Sequence, residues 1–288
     1  MAMPVWTARI TDASFVRSLF PIRKRDSHKS DYGRILLLCG SEGLTGAARL
    51  AAKAALRTGA GLVYLGVPRA VYPICAAAAG SEIVFPLPCD EAGRLSLAAQ
   101  SEIAARLPQM DAVLAGPGLG RSGELTELIA WLLRACRAPL VLDADGINAL
   151  EGHRDILRGS SCPIVLTPHD GEFRRLGGDL SGDRIEAARA LSLETDAVVL
   201  LKGFRTVVTD GLNVYLNTTG NPGLATGGSG DVLAGIITSL LGQHIMPLEA
   251  AAAGAFLHGA AADRVSERLG EYGMIPEDLL QELPRLLP

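Results

Sequence analysis

The richest concentration of chemistry-capable residues is Thr226-Gly227-Gly228-Ser229-Gly230-Asp231, with Asn221-Pro222-Gly223 just upstream. Glycines let a backbone turn tightly and approach a ligand without Cβ obstruction. An apolar run from Val232 reads as a helix, which places the loop at a helix N-terminus. There the first N–H groups lack intrahelical partners and the helix dipole favours negative charge, a setting suited to a phosphoryl group. An acid beside phosphate is unexpected. One reading makes Asp231 a terminal carboxylate that stabilises the helix by roughly 0.3–1 kcal/mol. The other makes it a base that takes a proton from a substrate hydroxyl aligned with a phosphoryl donor. Four nearby glycines (Gly223, Gly227, Gly228 and Gly230) favour the second. No Gly-Lys-Ser/Thr follows, so this is not a Walker loop.

Other candidate groups stand where apolar runs end. Asp143-Ala144-Asp145 follows one run and Thr167-Pro168-His169-Asp170-Gly171-Glu172 another. In a parallel sheet such loops emerge on one edge, where ligands bind. Carboxylates converging there, Asp143 and Glu172 foremost, suit a Mg2+ held through water, since that ion keeps several waters. The plainer reading makes Asp145 and Asp170 helix N-caps. Lys202-Gly203 to Thr206 follows a further run and could meet a nucleotide's phosphate or ribose. Gly116-Pro117-Gly118-Leu119-Gly120 lacks the spacing of a dinucleotide fingerprint, yet its backbone could line a ligand. His258, inside an Ala-rich segment, reads as a packed core residue.

The elements that must position these groups follow from the pattern. Residues 34–39, 61–67, 111–115, 139–143, 163–166 and 197–201 are short apolar runs, as strands buried on both faces of a parallel sheet would be. Segments 46–58, 96–107, 123–136 and 183–193 read as helices between them. Arg49, Lys53 and Arg57 mark a solvated stripe on the first. Residues 206–209 and 213–217 flank Asp210-Gly211-Leu212 as a hairpin. Helices over 232–241 and 248–264 follow, the latter rich enough in Ala and Gly to pack closely. The expectation is one α/β domain over 1–288: a mostly parallel sheet with helices on both faces and an antiparallel hairpin near its C-terminal edge. Residues 1–27 are an N-terminal extension or first helix.

Composition narrows the partners. Hydrophobic residues make up 48% of the 288, enough for a large core, and a net charge of −4 without a basic stripe gives nucleic-acid binding no support. The five cysteines show no CxxC spacing, and the odd count favours a reducing compartment. Charges scattered through the first 30 residues argue against a secretory leader, and no apolar span reaches membrane length. A cytoplasmic protein with no membrane partner is expected.

Together these segments resemble the ADP/ATP-dependent NAD(P)H-hydrate dehydratases of the ribokinase-like superfamily. The matching stretches are His28-Lys29-Ser30-Asp31-Tyr32-Gly33, Gly43-Leu44-Thr45-Gly46-Ala47-Ala48, Arg57-Thr58-Gly59-Ala60-Gly61, Gly116 to Gly120 and Asp143-Ala144-Asp145. Then come Thr167-Pro168-His169 to Glu172-Phe173, Lys202-Gly203 to Thr206, Asn221 to Asp231, and Tyr272-Gly273 to Asp278-Leu279. They run in order from about residue 28 to the C-terminus. Ser30 stands where the family has glycine, and Asp170 where it usually has proline. The resemblance implies a ribokinase-like fold and repair of hydrated NADH or NADPH (NADHX, NADPHX) at the expense of ADP or ATP with Mg2+. It implies that Ala47, Gly118, His169 and Asp231 line the hydrate site. Lys202, Gly203, Phe204, Arg205 and Thr206, with Gly228, Ser229 and Gly230, would hold the nucleotide. A homo-oligomer, such as a tetramer, is also implied. Some relatives carry an epimerase domain first; the roughly 30 residues before the match are too few for one, so a stand-alone dehydratase domain is expected.

Two rivals share the loop. A ribokinase-like kinase for a small alcohol, of the thiazole or hydroxymethylpyrimidine type, would keep a stable phosphorylated product. A silent nucleotide-binding module would bind and do nothing, but it has no need of Asp231.

Overall fold

Short runs of Val, Leu and Ile pair into one ten-stranded sheet in the computed structural model, which describes residues 7–20 and 22–288. The strands are β1 (Ala8–Ile10), β2 (Arg34–Leu38), β3 (Leu62–Pro68), β4 (Ile83–Leu87), β5 (Ala112–Ala115), β6 (Leu140–Leu142), β7 (Ile164–Leu166), β8 (Val198–Leu201), β9 (Val207–Thr209) and β10 (Val214–Leu216). They lie in the order β1-β10-β9-β8-β7-β6-β5-β2-β3-β4. From β8 through to β4 every pairing is parallel; β9 runs antiparallel to both β8 and β10, and β1 lies parallel to β10. The hairpin is therefore the 206–209 and 213–217 pair expected from its Gly-containing turn.

Alternate residues of a strand face opposite sides, and both sides are covered. Along β2, Ile35 and Leu37 enter one apolar core while Leu36 and Leu38 enter the other. The helices are α1 (Ala13–Leu19), α2 (Thr45–Arg57), α3 (Tyr72–Ala77), α4 (Gln100–Ala104), α5 (Gly123–Ala135), α6 (Asp145–Asn148), α7 (Asp170–Arg175), α8 (Arg184–Thr195), α9 (Ser229–Gly242), α10 (Pro247–Gly273) and α11 (Pro276–Glu282). Buried residues of α2, α9 and α10 fill the first core and those of α5 and α8 the second. Small residues set the spacing of the first. A Cβ on Gly235 of α9 would overlap the Ala51 carbonyl of α2, so the two backbones approach more closely than larger residues permit.

Several elements differ from the sequence expectation. Strand β4 carries Pro86, which removes a ladder donor and is tolerated because β4 is an edge strand. The segment 96–107 is not one helix: a 3-10 turn at Leu97–Ala99 leads into α4, and another 3-10 turn follows at Leu107–Gln109, where Pro108 breaks the ladder. The expected extension over 1–27 lies partly outside the described residues; within them it holds β1 and α1. The stripe on α2 is wet only at Arg57, with Arg49 and Lys53 half-buried. Helix α10 runs past 264 and is interrupted at Gly270, where φ is 70.

Candidate functional site

The carboxyl ends of β2 and β5 to β8 open on one edge, and the N-terminus of α9 meets them there. Helix α9 starts at Ser229 with Gly228 as its N-cap in the left-handed region, φ 95. A side chain at Gly228 would be strained by that φ, and its Cβ would lie 2.6 Å from Leu50 Cδ1. The glycine thus lets the loop close onto α2 while the next amides point outward. Asp231 follows in the first turn. Among the described residues its carboxylate makes no hydrogen bond or ion pair.

Its neighbours are charged and tightly paired. Lys202, just after β8, donates from Nζ to Asp143 Oδ1 at 2.9 Å and faces Glu172 Oε2 at 3.7 Å. Thr167 Oγ1, after β7, donates to the same Asp143 oxygen at 2.7 Å. A Cβ on Gly230 would lie 3.4 Å from Lys202 Nζ and 3.8 Å from Asp143 Oδ2, so the start of α9 abuts this cluster. The electrostatics sort the acids. Burial, then the Asp143 charge, push Asp231 up to about 7; Lys202 pulls the other way and Asp145 adds to the rise. Burial disfavours the Lys202 ammonium, but Asp143, Glu172 and Asp231 outweigh it and hold its pKa above the ordinary value. Burial raises the Cys39 thiol well above its usual range, reinforced by the charges of Asp231 and Asp143.

His169 caps α7. Its Nδ1 accepts from the Gly171 and Glu172 amides at 2.9 and 3.2 Å, while Glu172 Oε2 accepts from the His169 amide at 2.9 Å. Since Nδ1 is the acceptor, Nε2 carries the proton of a neutral ring and faces Glu172 Oε1 at 3.4 Å. This reciprocal box links the exposed imidazole to the buried acid. Asp170 is not the N-cap; it is the first residue of α7 and pairs with Arg184 at 2.8 Å. Arg184 also donates to the Lys202 carbonyl at 2.9 Å, so the added acid pairs with a residue that reaches the start of the 202–206 loop.

The other glycine loop lies against α2. Gly118, φ 65, is 3.0 Å from Ala47 Cβ when its own Cβ is built, so the two expected substrate residues face each other. Ser41 Oγ donates to the Gly118 carbonyl at 2.8 Å, and the Gly120 amide donates to Asp145 Oδ2 at 2.8 Å. Asp145 is therefore a tie between loops rather than the N-cap; that position is Ala144, whose φ of 47 is strained for a residue with a Cβ. Such strain persists only where surroundings over-determine the backbone, as at binding sites.

Asp143, Glu172, Lys202, Gly230 and Asp231 thus converge, with His169 tied to Glu172. Ala47 and Gly118 form a second contact at the same edge. Phe204 stays apart, 92% exposed with Arg205 near its ring. Asp143 and Glu172 share the Lys202 ammonium, and among the described residues no three His, Cys, Asp or Glu side chains are grouped to hold a metal. A pair of carboxylates already sharing an ammonium suits water-mediated contact with a metal brought in by phosphates. A cavity of about 430 Å3 does exist elsewhere, at the opposite strand ends, lined by Arg9, Asp196, Asp210 and Glu249 among others. Burial works to raise Asp210 there, but hydrogen bonds from Asn213 and Leu212 hold its carboxyl below the ordinary value, the opposite of the raised Asp231 at the glycine-lined edge. The residue types alone do not reveal Cys39 or Arg184 as neighbours of this edge. His258 is buried as expected, but its Nε2 meets Ser229 Oγ at 3.2 Å, a role its Ala-rich context conceals.

Comparison with known proteins identifies the chain's relatives. A family model for NAD(P)H-hydrate dehydratase matches residues 35–285. The bifunctional NAD(P)H-hydrate repair enzyme Nnr of Moorella thermoacetica is 47% identical over 97% of this chain and 54% of its own length. The ADP-dependent (S)-NAD(P)H-hydrate dehydratase of Neisseria meningitidis serogroup B is 40% identical, covering 88% of this chain and 83% of the relative. A solved structure of the ADP/ATP-dependent NAD(P)H-hydrate dehydratase of Bacillus subtilis, co-crystallised with ATP/Mg2+, superposes with TM-score 0.84 at 30% identity over 98% of each chain. The ribokinase-like fold is borne out, and the small-alcohol kinase is not favoured. The chain spans about half the length of the bifunctional relatives it matches. With the glycine loop, the Thr167–Glu172 box and the Gly116–Gly120 turn all inside the matched span, the chain belongs to the NAD(P)H-hydrate dehydratase family.

Proposed function

We propose that this chain, as a single dehydratase unit, restores hydrated NADH or NADPH in a reaction that consumes ADP or ATP. The observation that carries the reading is Asp231: an unpaired acid with its pKa raised to about 7, at the mouth of a helix whose amides suit phosphate. A base poised near neutrality matches the work asked of it. Asp231 takes the proton of the C6 hydroxyl, whose oxygen attacks the terminal phosphorus of the nucleotide. The bond from that phosphorus to the bridging oxygen breaks, leaving AMP or ADP. The amides of Gly228 to Gly230 meet the charge on the transferring group, and Lys202 stands beside Gly230 to meet the rest. The ring nitrogen's lone pair then expels phosphate by breaking the C6–O bond, and loss of the C5 proton restores the dihydropyridine.

Ala47, Gly118 and His169 line the hydrate side; Lys202, Gly203, Phe204, Arg205 and Thr206, with Gly228, Ser229 and Gly230, line the nucleotide side. Asp143 and Glu172 would hold a Mg2+ through water, and the ion would supply positive charge to the nucleotide phosphates. Among the described residues no helix is long and apolar enough to cross a membrane, which is compatible with a cytoplasmic site of action. A homo-oligomer such as a tetramer is part of the reading, checked by light scattering. The deciding experiment incubates the protein with hydrated NADH and with ADP or ATP in turn. Return of the reduced-nicotinamide absorbance with phosphate release supports repair; a stable phosphorylated hydrate, or no reaction with either nucleotide, refutes it.

A further inference from the structure

The polar residues of α10 have no place in the mechanism above, yet they sit against the chain that carries the glycine loop. Positions 255, 259 and 263 recur every four residues and so share one helical stripe, with 256 and 258 flanking it. Along this face α10 grips residues 217–229 repeatedly. Asn217 Nδ2 donates to the Ala255 carbonyl at 3.2 Å, and Thr219 Oγ1 to the Phe256 carbonyl at 3.1 Å. Gly259 lies so close to Thr219 that a Cβ there would overlap it. Asp263 accepts from the Gly220 amide at 2.9 Å and from Asn221 Nδ2 at 3.1 Å. Asn221 in turn accepts from the Gly223 amide at 3.0 Å. The last hold is His258 Nε2 on Ser229 Oγ, at the first residue of α9.

Between these polar holds the loop is fixed by packing at Gly223 on Met274, Leu224 on the core and Gly228 on Leu50 and Pro276. Ala225, Thr226 and Gly227 are exposed, and Gly227 has nothing within 4 Å of where a Cβ would stand. The side-chain hydrogen bonds that orient the cradle lie at its two ends: residues 217–223, on the Asp263 stripe, and Ser229, on His258. Both sit on one helix that belongs to the core, with Ala255, Leu257, Ala261 and Ala262 buried.

We propose that His258 and Asp263 are positioning residues for nucleotide binding, His258 acting through Ser229 to hold the first α9 amides toward the phosphate and Asp263 acting through Gly220 and Asn221 to hold the approach to them. A buried neutral ring suits this task, since it fixes a hydroxyl without adding charge beside the transferring group. Burial keeps His258 neutral, lowering it to about 4 against the hydrogen bond to Ser229, with Lys202 adding to the depression.

This rests on the glycine loop being the nucleotide site, so the test reads nucleotide binding and turnover separately. ADP affinity is measured by calorimetry on wild type, His258→Leu, His258→Gln, Ser229→Ala and the His258→Leu/Ser229→Ala double variant. Hydrated-NADH KM and kcat are measured on the same proteins. We expect His258→Leu to weaken ADP about tenfold while the KM for hydrated NADH stays within twofold. Gln, whose amide can replace the ring nitrogen, should recover most of the loss. The double variant should be no weaker than Ser229→Ala alone, because residues acting through one contact do not add. Asp263→Asn gives an independent arm, with a loss of about threefold or more in ADP affinity. Unchanged ADP affinity in His258→Leu and Asp263→Asn, or full additivity with Ser229→Ala, overturns the proposal. Should His258→Leu fail to fold, His258→Gln with Ser229→Ala still decides it: a Ser229→Ala variant that binds ADP as wild type does overturns the His258 role. Failure of wild type itself to bind ADP or ATP removes the underlying reading instead.

Discussion

The two halves of the site at the sheet edge are built on opposite principles. On the β6 to β8 side, charge meets charge: Lys202 bridges Asp143 and Glu172, and Thr167 and the His169 amide use further carboxylate lone pairs. On the α9 side there is almost no side chain at all, only amides, glycines and the Ser229 hydroxyl turned toward His258. Asp231 stands between them, buried and without a hydrogen-bonded counter-ion, in the field of Asp143 and Asp145 that Lys202 only partly offsets. The difference separates structure from chemistry. Acids that are satisfied hold loops, and the one left unsatisfied is free to exchange a proton near neutral pH.

The sharpest way to break this contrast is Asp231→Asn. It should cut turnover at least ~100-fold, the scale of a positioned base, while ADP binding persists. Wild-type kcat/KM should rise as pH passes upward through about 7, because the base must be ionised, and the variant should lack that limb. Stability should move the other way. The folded pKa lies above the ordinary carboxylate value, so the folded state holds a proton that the unfolded chain releases. The ionisation penalty is absent below about pH 4, grows with pH, and is complete above about 7, on the order of 4 kcal/mol. Asp231→Asn should therefore raise Tm, more at pH 8 than at pH 5. Near-normal turnover would return Asp231 to the role of helix terminus.

Lys202→Met attacks the charged half. Two buried carboxylates lose their shared cation, which should cost about 3 kcal/mol in denaturant unfolding. Lys202 also holds Asp231 down, so whatever rate survives should show its acid limb at higher pH. A limb that stays in place would mean the two halves are electrically independent. Gly228→Ala attacks the amide half. Its left-handed φ and the approach to Leu50 predict a loss of about 1–3 kcal/mol, with weaker ADP binding and an unshifted pH limb.

The smallest effect should come from Asp170→Pro, which installs the family's usual residue. His169 already has an extended backbone, φ −81 and ψ 173, as a residue before proline requires, and position 170 is the first of its helix, where proline is well tolerated. Only the half-exposed Arg184 pair is lost. The change in stability should stay within ~0.5 kcal/mol. A larger drop, or a changed nucleotide KM, would show that Arg184 fastens the 202–206 loop through Asp170.

The strand-and-helix pattern and the glycine loop were legible because each rests on local chemistry: apolar runs, turn residues and a helix start. Strands β1 and β4 were hidden since three residues of mixed polarity, or a run holding Pro86, carry no periodic signal. What the chain could not disclose locally was partnership across sequence. That Lys202 meets Asp143 and Glu172 depends on β6, β7 and β8 lying side by side. That Asp145 ties a glycine loop while Asp170 pairs with Arg184 depends on side-chain reach after folding. His258 was the hardest, because a lone polar residue in an Ala-rich helix reads as core, and its partner Ser229 is contributed by a different helix.

Cys39 directly follows β2 and is fully buried, and that burial, reinforced by the Asp231 and Asp143 charges, suppresses ionisation of its thiol. Thiols react with electrophiles and peroxides as thiolates. The same burial that raises the Asp231 carboxyl thereby keeps the Cys39 thiol chemically quiet, so the strand leading to this edge can end in a cysteine without presenting a thiolate to oxidants.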